Sequence, residues 1–201
     1  MKAKFRKRII TLKEFLSTLP KYIYTRFIKL QSGQEIDAQL SEKIKLEISQ
    51  LNECKLCYYS HSIIAEYLGV EKSDLEKLDN LDEDAFHSKE WQALNFARLY
   101  LYQLNGIDPP EDMEAVLKAL KREFHNSQIE TIKDIVFIMN FNNRTGNTLE
   151  MFISRLSGRV EPAKESSFFS ELVITLFFSL FAIPRTIQVL SLKLMTKLRR
   201  K

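Results

Sequence analysis

Apolar residues recur along this chain at helical spacing, and no segment shows the sustained apolar/polar alternation, bounded by turn residues, that marks a strand. From about Leu12 to Leu30 the pattern predicts a helical region that Pro20 breaks or kinks. Gln31-Ser32-Gly33-Gln34 reads as the first loop. Leu40, Ile44, Ile48 and Leu51, at spacings of four, four and three, predict a helix over Ala38–Leu51. Asn52 suits the N-cap of a following helix, from Glu53 to about Leu68, which Gly69 closes. An acidic connector comes next, anchored by Leu75, Leu78 and Leu81. Trp91, Leu94, Ala97, Leu101 and Leu104 mark another helix, ending at Asn105-Gly106. Pro109-Pro110-Glu111-Asp112 then reads as a helix start, with Met113, Val116, Leu117 and Leu120 facing inward. Asn126 or Ser127 opens a long apolar helix through Ile129, Ile132, Ile135, Val136, Met139 and Phe141; it continues or restarts near Thr148 and stops at Gly158. The expectation is an all-α protein of about seven to nine helices, without internal repeats and with Trp91, Phe96, Tyr100 and Phe137 in its core.

Residues 163–201 form a tail of different character. Phe168 to Ile183 is apolar over most of its circumference, with a narrow polar stripe at Ser167, Glu171, Thr175 and Ser179. Its 16 residues, one of them Glu171, fall short of the roughly 20 that span a bilayer. A helix with so wide an apolar arc needs protein or lipid over it. Beyond Pro184, Ile187, Leu190, Leu194 and Leu198 share one face, with Arg185, Lys193, Lys197 and Arg200 off it. That pattern suits an interfacial helix on an anionic membrane, and equally a groove on a partner subunit.

Composition narrows the class. With 201 residues, 45% hydrophobic, 28% charged and only 5 Gly and 5 Pro, the chain is neither collagen-like nor broadly disordered. Its net charge of +4 is unevenly distributed. Residues 1–13 carry six bases and no acid, and so do residues 185–201, so the +4 less six at each end leaves −8 on residues 14–184. An acidic body lacks the basic stripe that general binding to a phosphate backbone requires, so no nucleic-acid partner is expected. The basic start is followed by an apolar run that Lys13 and Glu14 interrupt, with no small-x-small cleavage pattern, and reads as mature protein.

The densest chemistry lies in Cys54-Lys55-Leu56-Cys57-Tyr58-Tyr59-Ser60-His61. On a helix starting after Asn52, Cys54 and Cys57 share a face and His61 follows one turn later. The first-turn N–H groups and the positive end of the helix dipole favour a thiolate there, and an imidazole alongside moves protons near neutral pH. Three readings are compatible with these residues: two buried cysteines and a core histidine sharing a face, a zinc site whose fourth ligand would be His87, His125 or a carboxylate, and a redox dithiol with a proton-handling histidine. Tyr58 and Tyr59 either shape the thiol pocket or simply pack. His87 reads as a solvated residue at a helix start and His125 as one near a helix end. Asn143 and Arg144, inside an apolar helix, need partners, and a carboxylate across a subunit interface is the expected one for Arg144.

The stretch from Glu42 through Ser49 and Asn52 to Cys54-x-x-Cys57-x-x-x-His61, followed by Ala65 and Gly69, resembles the core motif of the AhpD-like alkylhydroperoxidases within the carboxymuconolactone decarboxylase superfamily. That motif places a glutamate twelve residues before the first cysteine, where Glu42 stands. Phe141-Asn142-Asn143-Arg144 is similar to the Phe-x-x-x-Asn-Arg signature of the peroxidase-related branch, shortened by one or two residues. The likeness covers about residues 36–160. On an unbroken helix Glu42 would stand about 18 Å from Cys54, too far for proton transfer, so the chain has to turn between them, and Asn52 is the residue expected to turn it.

The resemblance implies an AhpD-like helical bundle over residues 35–160, with an N-terminal segment 1–34 and a C-terminal helical tail 161–201. It implies thiol-dependent reduction of a hydroperoxide, in which Glu42, through a water and His61, draws the proton from Cys57. Cys57 would become a sulfenic acid and Cys54 would resolve it to a disulfide; spacing alone does not decide which sulfur meets the peroxide. It also implies an external dithiol donor, a lipoyl-protein or a thioredoxin-like protein, with no metal and no bound cofactor, and a homo-oligomeric, cytoplasmic protein. Peripheral membrane contact through the tail stays open. So does a different class of function, a non-enzymatic redox-sensing or membrane-peripheral scaffold that uses the dithiol as a switch.

Overall fold

The computed structural model describes residues 3–4, 7–30, 35–78, 86–161, 163 and 166–199. Nine helices lie among them, and the only strands described are two residues each, so the protein is all-α as expected. The loop expected at Gln31–Gln34 and the anchor expected at Leu81 lie outside the described residues.

Helix α1 (Leu12–Tyr24) starts at Thr11, whose hydroxyl accepts from the Glu14 amide while the Glu14 carboxylate accepts from the Thr11 amide, a capping box. Pro20 does not break it. The proline and the carbonyl of Leu16 that it leaves unpaired both sit on the exposed side, where water can meet that carbonyl. The chain continues as a π-helical turn (Thr25–Lys29), closed by the Leu30 amide on the Thr25 carbonyl at 3.0 Å.

Helix α2 (Ala38–Leu51), capped by Asp37, is the central element. Its apolar residues Leu40, Ile44, Leu46 and Ile48 are buried, and so are Ser41, Glu42, Lys43, Glu47 and Ser49. Buried charges need partners, and these have them: Lys43 pairs with Asp74 and Glu90, Glu47 with Arg98, and Glu42 with Lys45 and His61. Helices α3 (Lys55–Tyr67), α4 (Lys72–Leu78), α5 (Ser88–Leu104) and α7 (Asn126–Leu156) pack around it, with α6 (Met113–Glu123) outside α5. One apolar cluster joins Ile44 and Ile48 of α2 to Leu94 and Phe96 of α5 and to Ile132 and Val136 of α7. α7 runs unbroken for 31 residues where the pattern allowed a restart.

The long α8 (Phe168–Arg199) is bent: residues Phe168–Leu180 and Ala182–Met195 meet at 43°, next to Pro184. The first half packs on α7, with Ile174 buried among Phe15, Ile138 and Phe141. The second half packs on α3 through Val189 and Leu192 against Ile63 and Ile64. The middle of its polar stripe, Glu171 and Thr175, faces inward, whereas Ser167 before the helix is exposed. Glu171 is fully buried and meets Arg155 of α7 at 2.6 Å, and Thr175 is buried beside it. Leu176, Leu180, Ile183, Ile187, Leu190 and Leu194 point outward instead. No single helix among the described residues is long and apolar enough to cross a membrane. At the far end of the chain, Ala3–Lys4 pairs in parallel with Val160–Glu161, which ties the start of the chain to the end of α7.

Candidate active site

The turn between α2 and α3 sets the site, and it is tighter than the sequence suggests. Asn52 is not the N-cap of α3 but the C-cap of α2; Glu53 adopts a left-handed conformation (φ 55°), and Cys54 itself caps α3. A left-handed residue closes a helix by allowing the following amides to reach back, here Glu53 to Gln50 and Cys54 to Ser49, at 2.8 and 2.9 Å. α3 therefore folds back along α2 and brings His61 beside Glu42.

Three asparagines of α7 hold this turn. Asn140 Oδ1 accepts from the Asn52 side-chain amide, Asn143 donates to the Ile48 carbonyl at 3.0 Å, and Asn147 donates to the Asn52 carbonyl at 2.8 Å. They lie at successive spacings of three and four, one face of one helix. Asn143 was a candidate from the sequence. Asn140 and Asn147 were not, although the spacing of three buried amides in an otherwise apolar helix was available as a signal.

Cys54 and Cys57 are joined as a disulfide, with their Cα atoms 5.3 Å apart. The bond rests against α7 at Gly146, where an added Cβ would stand 3.0 Å from Cys54 Sγ and 3.5 Å from Cys57 Sγ. Glycine in mid-helix is unfavourable by about 1 kcal/mol relative to alanine, and here it admits the sulfurs. The apolar pattern of α7 does not single out Gly146.

A cavity of about 610 Å³ opens over this turn. Cys57 and His61 of α3, Glu42 and Lys45 of α2, Asn142 of α7 and Arg185 of α8 all line it. Cys54 does not. Tyr58 and Tyr59 stay out of it as well; Tyr58 packs against the core, and Tyr59 is exposed and accepts a hydrogen bond from Lys193 at 3.0 Å.

His61 Nδ1 lies 2.6 Å from Glu42 Oε2, and Lys45 Nζ lies 2.6 Å from Glu42 Oε1. Burial pushes the Glu42 carboxyl up, but the hydrogen bond from His61, the charge and hydrogen bond of Lys45 and, once the ring is protonated, the charge of His61 outweigh it and hold it at about 2. For His61 burial is the larger influence and lowers its pKa, although Glu42 opposes it. At neutral pH the pair is therefore a carboxylate and a neutral imidazole. An ionised carboxylate only accepts, so Nδ1 carries the proton and Nε2, the other ring nitrogen of a side chain that lines the cavity, is left as a base.

Arg144 departs from expectation. Its carboxylate partner is in the same chain, not across a subunit interface: Nη2 lies 2.9 Å from both oxygens of Glu14, and Nε donates to the Ile9 carbonyl. It anchors α1 to α7 and takes no place around the cavity that holds Cys57. His87 and His125 stand at the N-caps of α5 and α7, away from this site. Among the described residues no three His, Cys, Asp or Glu side chains cluster as metal ligands.

No family model matches the chain, and no curated protein and no solved structure matches it.

Proposed function

We propose that the protein is a dithiol peroxidase of the AhpD-like type, reducing a hydroperoxide at Cys57. The observation that carries this reading is the arrangement of one cysteine of the pair, Cys57, on the wall of a cavity shared with a histidine whose Nδ1 is held by a buried carboxylate. It is an activated-thiol constellation: nucleophile, base and a group that orients the base.

In the reduced protein, Nε2 of His61, directly or through a water, takes the proton of Cys57. The thiolate attacks the terminal peroxide oxygen and the O–O bond breaks. The departing alkoxide takes the proton and leaves as the alcohol, and Cys57 becomes a sulfenic acid. The Cys54 thiol then attacks Cys57 sulfur, water leaves, and the disulfide forms. A dithiol donor, of lipoyl or thioredoxin-like class, reopens it by exchange and departs as its own disulfide. One peroxide and one dithiol thus become alcohol, water and one disulfide. Glu42 acts as a positioning residue that keeps His61 in the tautomer with a free Nε2.

The test is peroxide consumption with an excess of dithiothreitol. Cys57→Ser is expected to lower it at least about 100-fold, since it removes the one cysteine on the cavity wall among the described residues; an unchanged rate overturns the reading. A second reading, a redox-switching scaffold at a membrane, draws on the outward apolar face of α8. It predicts a reversible dithiol without turnover, so the same assay separates the two.

A further inference from the structure

We infer that the cavity is built for an acyl-chain carboxylate, so that the peroxide reduced at Cys57 is a fatty-acid hydroperoxide held by Arg26 and Arg185; the inference rests on the peroxidase reading and names its substrate class.

The charges on the wall carry the first part. Three cations line the cavity, Arg26, Lys45 and Arg185, against a single carboxylate, Glu42. Glu42 is already committed on both oxygens, to Lys45 and His61. Glu42 also favours the charge on Arg185, but one carboxylate cannot balance three cations, so with His61 neutral the wall keeps an excess of two positive charges, carried by the guanidiniums. Arg185 is half-buried; its side chain donates from Nη1 to Gln188, which is uncharged, and the Arg26 side chain makes neither a hydrogen bond nor an ion pair among the described residues. Two like charges facing one space, one of them partly removed from water, are costly unless an anion joins them. A carboxylate accepts from guanidinium in a fork geometry, which makes it a fitting occupant.

The local backbone supports the same conclusion. Arg26 stands in the π-helical turn, an irregularity that recurs at functional sites, and Arg185 directly follows Pro184 at the bend of α8. The structural irregularities of both elements thus coincide with the two unmatched cations.

Size and polarity carry the second part. About 610 Å³ is far more than hydrogen peroxide fills, and lies in the range that takes a ligand of many carbon atoms. Phe27, Ile135, Ile138 and Phe178 supply apolar wall to the same space. An alkyl chain against these residues with its carboxylate on the arginines satisfies both halves of the surface. The reaction is unchanged: the hydroperoxy acid becomes the hydroxy acid plus water, with two electrons taken from the dithiol.

The test compares linoleic acid hydroperoxide with its methyl ester, both below their aggregation concentrations, as substrates of the full-length protein with excess dithiothreitol. The corresponding hydroxy acid and its ester serve as unreactive probes in equilibrium dialysis against the oxidised protein. Acid is expected to exceed ester about tenfold in kcat/KM and in affinity, the worth of one charge-assisted pair, and R26Q/R185Q is expected to bring both ratios close to one. Equal handling of acid and ester by the unaltered protein overturns the inference while leaving the peroxidase reading in place, whatever the variant does. Tighter binding of the acid without turnover of any peroxide, tert-butyl hydroperoxide included, keeps the carboxylate site and overturns the peroxidase reading instead.

Discussion

Gly146 and Cys54 approach so closely that a Cβ on the glycine would lie 3.0 Å from the cysteine sulfur. Helix α7 is thus the surface on which the disulfide rests, and the absence of a side chain at one position sets how near α3 can come. Gly146→Ala gains helix propensity but crowds the sulfur, so its two effects oppose each other. Gly146→Val adds two further methyl groups against the two sulfurs and the Phe178 ring, and is expected to lower stability by about 1–3 kcal/mol, read as a reduced urea midpoint at unchanged slope. A midpoint equal to that of the unaltered protein would show that the sulfurs can withdraw.

The Glu42–His61 pair predicts how the protein responds to acid. His61 has a pKa below its unfolded value, so the unfolded chain takes up the proton first, and stability declines as pH falls below about 6.5. Glu42 is also lower in the folded state, about 2 against an ordinary 4.5, and its contribution is present above 4.5 and lost as pH falls from there toward 2. Glu42→Gln removes the second loss. Denaturant midpoints at pH 7, 5.5, 4.5 and 3.5 check this, and the expected result is a flatter profile for the variant below pH 4.5.

The same pair predicts the reactivity of the reduced dithiol. His61→Asn removes the base that takes the Cys57 proton, so the alkylation rate of Cys57 near neutral pH is expected to fall and its midpoint to move toward the free-thiol value of about 8.5. Iodoacetamide modification followed against pH in Cys54→Ser, with and without His61→Asn, measures it. Coincident profiles would remove His61 from the mechanism.

Arg155 and Glu171 hold the first half of α8 to α7, with the Glu171 side chain fully buried. Removing only the arginine strands a charge in the interior, so Arg155→Ala is expected to cost about 3–5 kcal/mol. Replacing both residues with apolar ones, Arg155→Met with Glu171→Leu, is expected to recover most of that. Urea unfolding of the two variants distinguishes a pair that matters by satisfying a buried charge from one that adds nothing.

The outward face of α8 predicts association. Leu180, Ile187, Leu190 and Leu194 are exposed along it, with the cationic Lys193 at its flank. Apolar surface beside positive charge fits an anionic bilayer, and the full-length protein is expected to float with vesicles containing phosphatidylserine. Ile187→Gln with Leu190→Gln and Leu194→Gln is expected to weaken flotation. Protein that stays in the aqueous fraction and sediments as a dimer would assign the face to a second copy of the chain.

Much of this protein is legible in its sequence because helices are local. Period-3.6 apolar spacing, the caps at Asp37 and Asp112 and the stop at Gly69 are set by residues within a turn of one another. Cys54, Cys57 and His61 lie within about two helical turns, and a glutamate twelve residues upstream can reach them only if the chain reverses, which the turn after Asn52 accomplishes.

The tertiary structure decided what depends on distant residues. Arg144 needed a carboxylate, but only packing selected Glu14, 130 residues away, over one on another subunit. The stripe at Glu171 and Thr175 has the same spacing whether it faces water or protein; Arg155 on α7 turned it inward and left the apolar face outside. Which sulfur meets the cavity, and the presence there of Arg26 and Arg185, follow from α2, α3, α7, α8 and the π-helical turn after α1 closing over one space. Periodicity reports the face of a helix, and only the neighbours of that face determine what it is for.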